Sequence, residues 1–269
     1  MTILSKSIVR TKALLLASFF FGFLFTNYQA EASAPPVSVL LTLYDEDDLR
    51  GPELDRLESY YLANVNQSTK NVEILEFPQT MAVDPWDPNS LSEIFQESSA
   101  SGVKRFLSNW YAIDHYLTLN LEGIAQIVDL MEDTTITPTA TFSYGGYDFI
   151  EDLETPVSGA GLLAYTRYQE DGRYQRQNRQ LEALAIVSTG LQNVNLFTNS
   201  LSLHKIIQSH VETDMGIWDV LKHLKDYLNH RISEEWTMDH YVFEGDSMEF
   251  DGYPYVIVDE EDLISHNTQ

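Results

Sequence analysis

The chain has no cysteine, so no disulfide framework can hold it and its stability must come from burial. It is also poor in cations, with 16 Lys plus Arg against 41 Asp plus Glu and a formal net charge of −25. That balance excludes an extended nucleic-acid surface, because binding a phosphate backbone needs a basic face. It equally disfavours broad electrostatic binding to anionic lipid. A small cationic pocket remains compatible with it, since pairing at contact distance is screened far less than the distant field. There is no P-loop, no Rossmann glycine fingerprint and no G-x-S-x-G. The seven histidines show no metal-ligand spacing, and neither an internal repeat nor a low-complexity run is present.

What the chain does have is length and apolar content enough for a full core. Its 269 residues allow one large domain or two small ones, and 43% hydrophobic with 12% aromatic residues is ordinary for a globular protein. Lys6, Arg10 and Lys12 precede an apolar run, Ala13 to Phe25, followed by TNYQAEASAPP. This is the order of a secretory signal, with Ala30-Glu31-Ala32 as a cleavage site. The run is short of the roughly 20 residues that a membrane span wants. Residues 1–34 therefore read as a signal peptide or N-terminal membrane anchor. In either case the positive flank stays inside and residues 35–269 form an extracytoplasmic domain.

Val37 to Tyr44 (VSVLLTLY) is an apolar, β-branched run that reads as a buried central strand. Asp45 to Asp48 follow it. Carboxylates at the end of a core strand are either a divalent-cation site or a polar loop. Ser59 to Asn66 and Val72 to Phe77 form a hairpin around Gln67 to Asn71. Ser90-Leu91-Ser92-Glu93 has the form of a capping box, and a loop is expected near Ser98 to Gly102, before a helix that turns Val103, Phe106, Leu107 and Trp110 inward. Tyr116 to Leu119 is a strand, and Glu122 to Met131 a helix with Ile124, Ile127, Val128 and Met131 inward. Residues 132–160 are acidic and loop-rich, with a turn at Tyr144-Gly145-Gly146. Leu201 to Ser209 and Gly216 to Leu228 read as helices, Tyr253 to Asp259 as a late strand, and Glu260-Glu261-Asp262 as the start of a short helix. Interleaved strands and helices with an early hairpin make the class α/β: a single domain with a central mixed β-sheet between helical layers.

The stretch Ala164 to Gln180 (AYTRYQEDGRYQRQNRQ) concentrates the scarce cations, with Arg167, Arg173, Arg176 and Arg179 inside thirteen residues. Asp171-Gly172 is a turn. If a helix starts after it, Arg176, Arg179 and Gln180 share a face at i, i+3 and i+4. Leu181, Leu184, Ala185 and Leu191 would anchor that helix. The expected picture is a strand ending near Arg167, a turn, and a helix N-terminus whose guanidiniums grip phosphate or carboxylate oxygens in pairs. The competing reading is a solvated, arginine-rich helix face.

The same stretch resembles the signature of the LytR-CpsA-Psr family of bacterial cell-wall enzymes, which reads A-Y-x-R-x-R, a short acidic turn, then G-D-x-x-R-x-x-R-Q. Ala164, Tyr165, Arg167, Gly172, Arg176, Arg179 and Gln180 match it. Upstream, Arg56-Leu57-Glu58-Ser59 resembles the family's R-S-D-T, Asn66 to Lys70 its N-P-K-T-K, Phe77-Pro78-Gln79-Thr80 its I-P-R-D, and Tyr116 to Asp129 its Y-x-V-x-N-F-E-G-F-x-x-L-V-D. The likeness covers most of residues 38–263. It departs at Gln79, Ser90 and Gln169, where the family carries cations, and at Arg173, where it carries an acid.

The resemblance implies transfer of a phosphorylated glycan, of teichoic acid or capsular polysaccharide type, from a polyprenyl-pyrophosphate carrier to peptidoglycan. It implies Mg²⁺ held by Asp45 and Glu58. Arg56, Arg167 and Arg176 would act in catalysis, and Arg173, Arg179, Gln180, Gln79 and Gln169 would bind substrate. It also implies a membrane contact through the N-terminal segment if that segment is uncleaved. Two alternatives stand beside it: a catalytically degenerate member that binds pyrophosphate lipid or a partner in a regulatory role, and an exported domain with no ligand.

Overall fold

The computed structural model describes residues 36–45, 59–66, 68–69, 71–86, 88–190, 196–216 and 237–266. Strands and helices alternate along them, and the fold is a single α/β domain with a mixed sheet and six helices among the described residues. Those residues group into two compact units. One is built on Asn120–Val211. The other combines the described parts of Ala30–Leu119 with Glu212–Met215 and those of Asp239–Gln269.

The second unit is organised on β1 (Val37–Tyr44), β2 (Ser59–Asn66) and β3 (Asn71–Phe77), joined antiparallel with Leu40 opposite Leu62 and Leu62 opposite Leu75. These strands lie where the apolar runs place them. They form the middle of a six-stranded sheet, which β5 (His115–Asn120) and β10 (Val211–Thr213) extend beyond β1 and β11 (Thr237–Val242) extends beyond β3. Both faces of the central strands are buried, so hydrophobicity runs continuously along them and does not alternate. A polar ladder crosses the three strands: Ser38 Oγ donates to Asn64 Oδ1 at 2.7 Å, and Asn64 Nδ2 donates to Glu73 Oε2 at 3.0 Å.

Helix α1 (Leu91–Leu107) covers the face carrying Leu40, Tyr60, Leu62, Leu75 and Phe77 with Leu91, Ile94, Val103 and Leu107. Its expected capping box is present. Glu93 N–H donates to Ser90 Oγ at 3.2 Å, and Ser90 N–H donates to Glu93 Oε2 at 2.7 Å. The loop expected near Ser98 is instead a kink within one helix, where Ser99 takes φ 54° and ψ −165°. The helix re-forms at once because Val103 and Leu107 bury on the same core as Leu91 and Ile94. Phe106 and Trp110, also expected inward, are partly buried against that core. Phe77 and Phe243 stack at 5.0 Å.

A three-stranded sheet of β12 (Asp246–Phe250), β13 (Tyr253–Ile257) and β4 (Met81–Ala82) stands beside this core, with β12–β13 antiparallel and β13–β4 parallel. The last helix, which we number α6 (Glu260–Ser265), starts at the expected acids and is capped by Asp259. At the other edge of the six-stranded sheet, Asp214 accepts from Lys104 Nζ at 2.7 Å and from Tyr116 N–H at 3.1 Å.

The first unit is helical: α2 (Leu121–Val128), α3 (Gly159–Arg167), α4 (Arg173–Gly190) and α5 (Leu196–His210). Asn120 caps α2 by accepting from Glu122 N–H at 2.8 Å, and Ile124 and Val128 are buried as expected while Ile127 and Met131 are half-buried. Residues 132–160 hold more structure than a loop. β6 (Thr135–Ile136) pairs with β9 (Thr155–Pro156), and β7 (Phe142–Tyr144) with β8 (Tyr147–Phe149). The β7–β8 turn is the two-residue Gly145-Gly146, with φ of 60° and 84°, a backbone that glycine adopts without strain. The helix expected over Gly216 to Leu228 lies outside the described residues.

Candidate functional site

The arginine stretch is a helix–turn–helix, and this corrects the strand expected to end near Arg167. Residues 159–167 are α3. Ser158 Oγ accepts from Gly161 N–H at 3.2 Å and opens the helix, and Leu162, Leu163 and Ala164 propagate it. A short apolar run does not distinguish strand from helix by periodicity, and here the cap decides. Gly172, at φ 103°, makes the turn, and α4 begins at Arg173.

The first turns of α4 are not a solvated face. Arg176, Arg179 and Gln180 are 6%, 2% and 1% exposed, on the same side as buried Ala183, Leu184 and Val187. Of the expected anchors, Leu184 is buried and Leu181 only half-buried, while Leu191 lies outside the described residues. Arg167 ends α3 half-buried and Gln169 is exposed. The side chain of Arg173 is not among those described.

Each buried cation has a partner inside this unit. Arg176 Nη1 donates to Gln169 Oε1. An arginine at 169 would bring a second cation to Arg176; the amide oxygen accepts instead. Arg179 is more fully engaged. Its Nη1 and Nη2 donate to the two Asp171 oxygens at 2.7 and 2.8 Å, and Nη2 also donates to the Tyr168 carbonyl. Its guanidinium lies 5.2, 5.8 and 5.3 Å from the ring centroids of Phe142, Tyr165 and Tyr168, within cation–π range. Phe142 and Tyr168 stack at 4.1 Å. Arg179 thus ties the Asp171-Gly172 turn to an aromatic box. Burial drives the Tyr165 phenol far above its ordinary pKa, with the Glu182 carboxylate adding to the rise and Arg179 opposing it. The phenol stays neutral and donates to Glu182 at 2.9 Å.

Sequence reasoning missed this box. The sequence does signal the hairpin that carries Phe142, since Phe142, Tyr144, Tyr147 and Phe149 alternate about the Gly-Gly turn.

In the sheet unit, Asp45 follows β1 directly and is fully buried. Leu43 pairs with Ser59, and Tyr60 pairs with Phe77, so the end of β1, the start of β2 and the end of β3 share one end of the sheet. Gln79, 4% exposed, lies two residues beyond β3 at that same end, where its carbonyl accepts from Ser92 N–H at 3.0 Å. Arg56 and Glu58 lie outside the described residues. Among the described residues no group of three His, Cys, Asp or Glu converges as a metal cage. A buried strand-end carboxylate still suits Mg²⁺, which is commonly held by one or two carboxylates and otherwise by water and substrate phosphate. Among the described residues no helix is long and apolar enough to cross a membrane.

The described residues place a buried carboxylate at a sheet end in one unit and, in the other, buried guanidiniums in the first turns of a helix. The chain belongs to the LytR-CpsA-Psr (LytR_cpsA_psr) family, whose model matches residues 25–269. It is 27% identical over 241 residues to a polyisoprenyl-teichoic acid–peptidoglycan teichoic acid transferase TagU of Bacillus licheniformis, covering 85% of this chain and 74% of the relative. It is 25% identical over 238 residues to the Enterococcus faecalis protein of that name, covering 85% and 76%. The crystal structure of Bacillus subtilis TagU shares the fold at a TM-score of 0.61 and 20% identity, over 86% of this chain and 94% of that one.

Proposed function

We propose that this protein transfers a phosphorylated glycan of the teichoic-acid type from a polyprenyl-pyrophosphate carrier to a hydroxyl of peptidoglycan, outside the cytoplasmic membrane. The observation that carries the reading is the buried run Arg176, Arg179 and Gln180 at the start of α4. Arg179 meets its own anion in Asp171, whereas a guanidinium buried near a helix N-terminus, as Arg176 is, incurs a desolvation cost that is reasonable where an anion is to be gripped. Two relatives named as teichoic acid transferases support the substrate class.

In the reaction the acceptor oxygen attacks the phosphorus that bears the glycan. The bond from that phosphorus to the carrier's bridging oxygen breaks, polyprenyl phosphate leaves, and the hydroxyl proton passes to solvent or to the leaving phosphate. Phosphoryl transfer asks the protein for positioning and charge neutralisation more than for covalent help. Arg176 and Arg167, with Arg56, supply fixed positive charge toward the pyrophosphate oxygens. Gln180, Gln79 and Gln169 add amide donors, and Arg173 adds a charge at the helix N-terminus. Arg179 holds the turn that positions Arg176. Asp45 and Glu58 would hold Mg²⁺, whose chemistry is to offset charge on the pyrophosphate. Residues 1–34 export the domain, as a cleaved signal or a retained anchor.

The test is a titration of a short-chain polyprenyl pyrophosphate with and without Mg²⁺. Arg176→Ala removes a charge-assisted contact of about 1.5–3 kcal/mol, so Kd should weaken roughly ten- to hundredfold. Arg176→Lys should restore part of it, since a point charge does not replace a fork. Asp45→Asn should remove the Mg²⁺-dependent share. Equal affinities in all four proteins would overturn the reading. Tight binding without transfer to peptidoglycan would assign the protein the regulatory role instead.

A further inference from the structure

Gln169 is an exposed residue whose side chain reaches a buried cation: its Oε1 accepts from Arg176 Nη1. The backbone that delivers it is pinned on both sides. The Gln169 carbonyl accepts from Gly172 N–H at 2.9 Å, which closes the turn Gln169-Glu170-Asp171-Gly172. The Gly172 carbonyl in turn accepts from Arg176 N–H at 3.3 Å, in the first turn of α4. Before the turn, the Tyr168 ring stacks on Phe142 at 4.1 Å, and the Tyr168 carbonyl accepts from Arg179 Nη2. Inside it, the two Asp171 oxygens accept from Arg179 at 2.7 and 2.8 Å. Gln169 therefore presents its amide from a fixed turn, and Arg176 meets an acceptor already in place.

The kind of acceptor matters as much as its place. A guanidinium only donates, so the glutamine turns its oxygen to Arg176 and keeps its amide N–H groups on the other side. The same turn thus holds two arginines in two ways. Arg179 is held by a carboxylate, which offsets its charge, and Arg176 by an amide oxygen, which adds none. In a buried setting that difference is large, because a charge beside a guanidinium is poorly screened there. A carboxylate at 169 would hold Arg176 more strongly and would compete with a phosphate for it. An arginine at 169 would have no acceptor to offer.

We infer that Gln169 is the positioning residue of Arg176: a neutral hook that fixes the guanidinium at the start of α4 and adds no charge to it. The bond orients both partners, so the Gln169 amide donor and Arg176 face an anion as one unit. This deepens the transfer reading and rests on it for the identity of that anion, a pyrophosphate.

Two measurements on the full chain in detergent test it. Nitrogen-15 NMR follows the Arg176 Nη protons, assigned by their loss in Arg176→Lys, and titration with farnesyl pyrophosphate in the presence of Mg²⁺ gives Kd. The Arg176 signal should be protected from exchange in wild type, lost in Gln169→Ala and retained in Gln169→Glu. Gln169→Ala should weaken Kd about tenfold, the share of one charge-assisted hydrogen bond. Gln169→Glu keeps the hold but adds a charge, so it should weaken Kd at least as much while its melting temperature does not fall. In an Arg176→Ala background, Gln169→Ala should cost less than about twofold further, because the two act as a unit. Losses that simply add would make Gln169 an independent ligand contact and overturn the inference. So would an Arg176 signal indifferent to Gln169→Ala, or wild-type affinity in Gln169→Glu. If wild type binds no pyrophosphate while the Arg176 signal still depends on Gln169, the transfer reading fails and the positioning role stands.

Discussion

Arg179→Ala separates a structural arginine from a ligand contact. The side chain is 2% exposed, makes a two-pronged bond to Asp171, donates to the Tyr168 carbonyl and faces three rings. Removing one partner of a buried charge pair costs about 3–5 kcal/mol. Asp171 keeps 22% of its side chain exposed, so water can rehydrate its carboxylate and the loss should fall near the lower end, about 3 kcal/mol. Urea unfolding followed by circular dichroism should show this as a lower midpoint at unchanged slope. Arg179→Lys should lose almost as much, since one ammonium does not span both carboxylate oxygens and the carbonyl. In a double-mutant cycle with Asp171→Asn the two losses should be strongly non-additive. Affinity for polyprenyl pyrophosphate should fall only as far as the turn and Arg176 are disturbed. A stability change below about 0.5 kcal/mol, well under the ~3 kcal/mol expected from the buried pair, together with a hundredfold loss of affinity, would refute this and make Arg179 a direct contact.

Ser90→Ala should cost about 1 kcal/mol of stability through loss of the helix cap, read from the same unfolding curves, with pyrophosphate affinity unchanged. A selective loss of affinity would instead give Ser90 a place in the site. Asp214 supplies a pH dependence. Partial burial would raise its pKa, but the Lys104 hydrogen bond, the Tyr116 N–H and the charges of Lys104 and His115 outweigh that and leave it below 3.8. A depressed carboxylate stabilises the fold above its unfolded value and loses that contribution as pH falls through the folded value. Asp214→Asn should therefore be less stable than wild type near pH 7 by about 1 kcal/mol, with the gap closing below pH 3.8. A gap independent of pH would disconnect Asp214 from the acid limb.

The sequence was most informative where a local rule had a single physical solution. The β1 run, the β2–β3 hairpin, the Ser90 cap and the Gly145-Gly146 turn each satisfy one backbone or burial requirement, and each stands where expected. α3 was misread because Gly161 to Thr166 is too short for its periodicity to separate strand from helix, and its deciding cap, Ser158, is a common surface residue. The site was half legible. Clustering Arg176, Arg179 and Gln180 on one helix face follows from helical spacing. The different tasks of Arg176 and Arg179 depend on Gln169, Asp171 and an aromatic box assembled from Phe142, Tyr165 and Tyr168, and no local pattern encodes those meetings. Arg56 and Glu58 lie outside the described residues.

The ladder Ser38–Asn64–Glu73 bears on how the central sheet finds its alignment. Where one face of a sheet is wet, a one-residue slip is punished by turning the whole apolar set outward. Here both faces of β1, β2 and β3 are buried, so sliding Leu62 into the place of Tyr61 exchanges one buried apolar position for another and the penalty is small. The polar residues break that degeneracy. Ser38 faces Asn64 and Asn64 faces Glu73 in only one alignment, and a slip would leave an amide and a hydroxyl to bury without partners. At the turn, Asn66 Oδ1 accepts from Thr69 N–H at 3.1 Å and from Ser68 Oγ at 2.7 Å, fixing where the chain reverses. The three side chains of this ladder thus act as the index mark of the sheet, and they sit at the end opposite Asp45, where setting the alignment makes no demand on the chemistry.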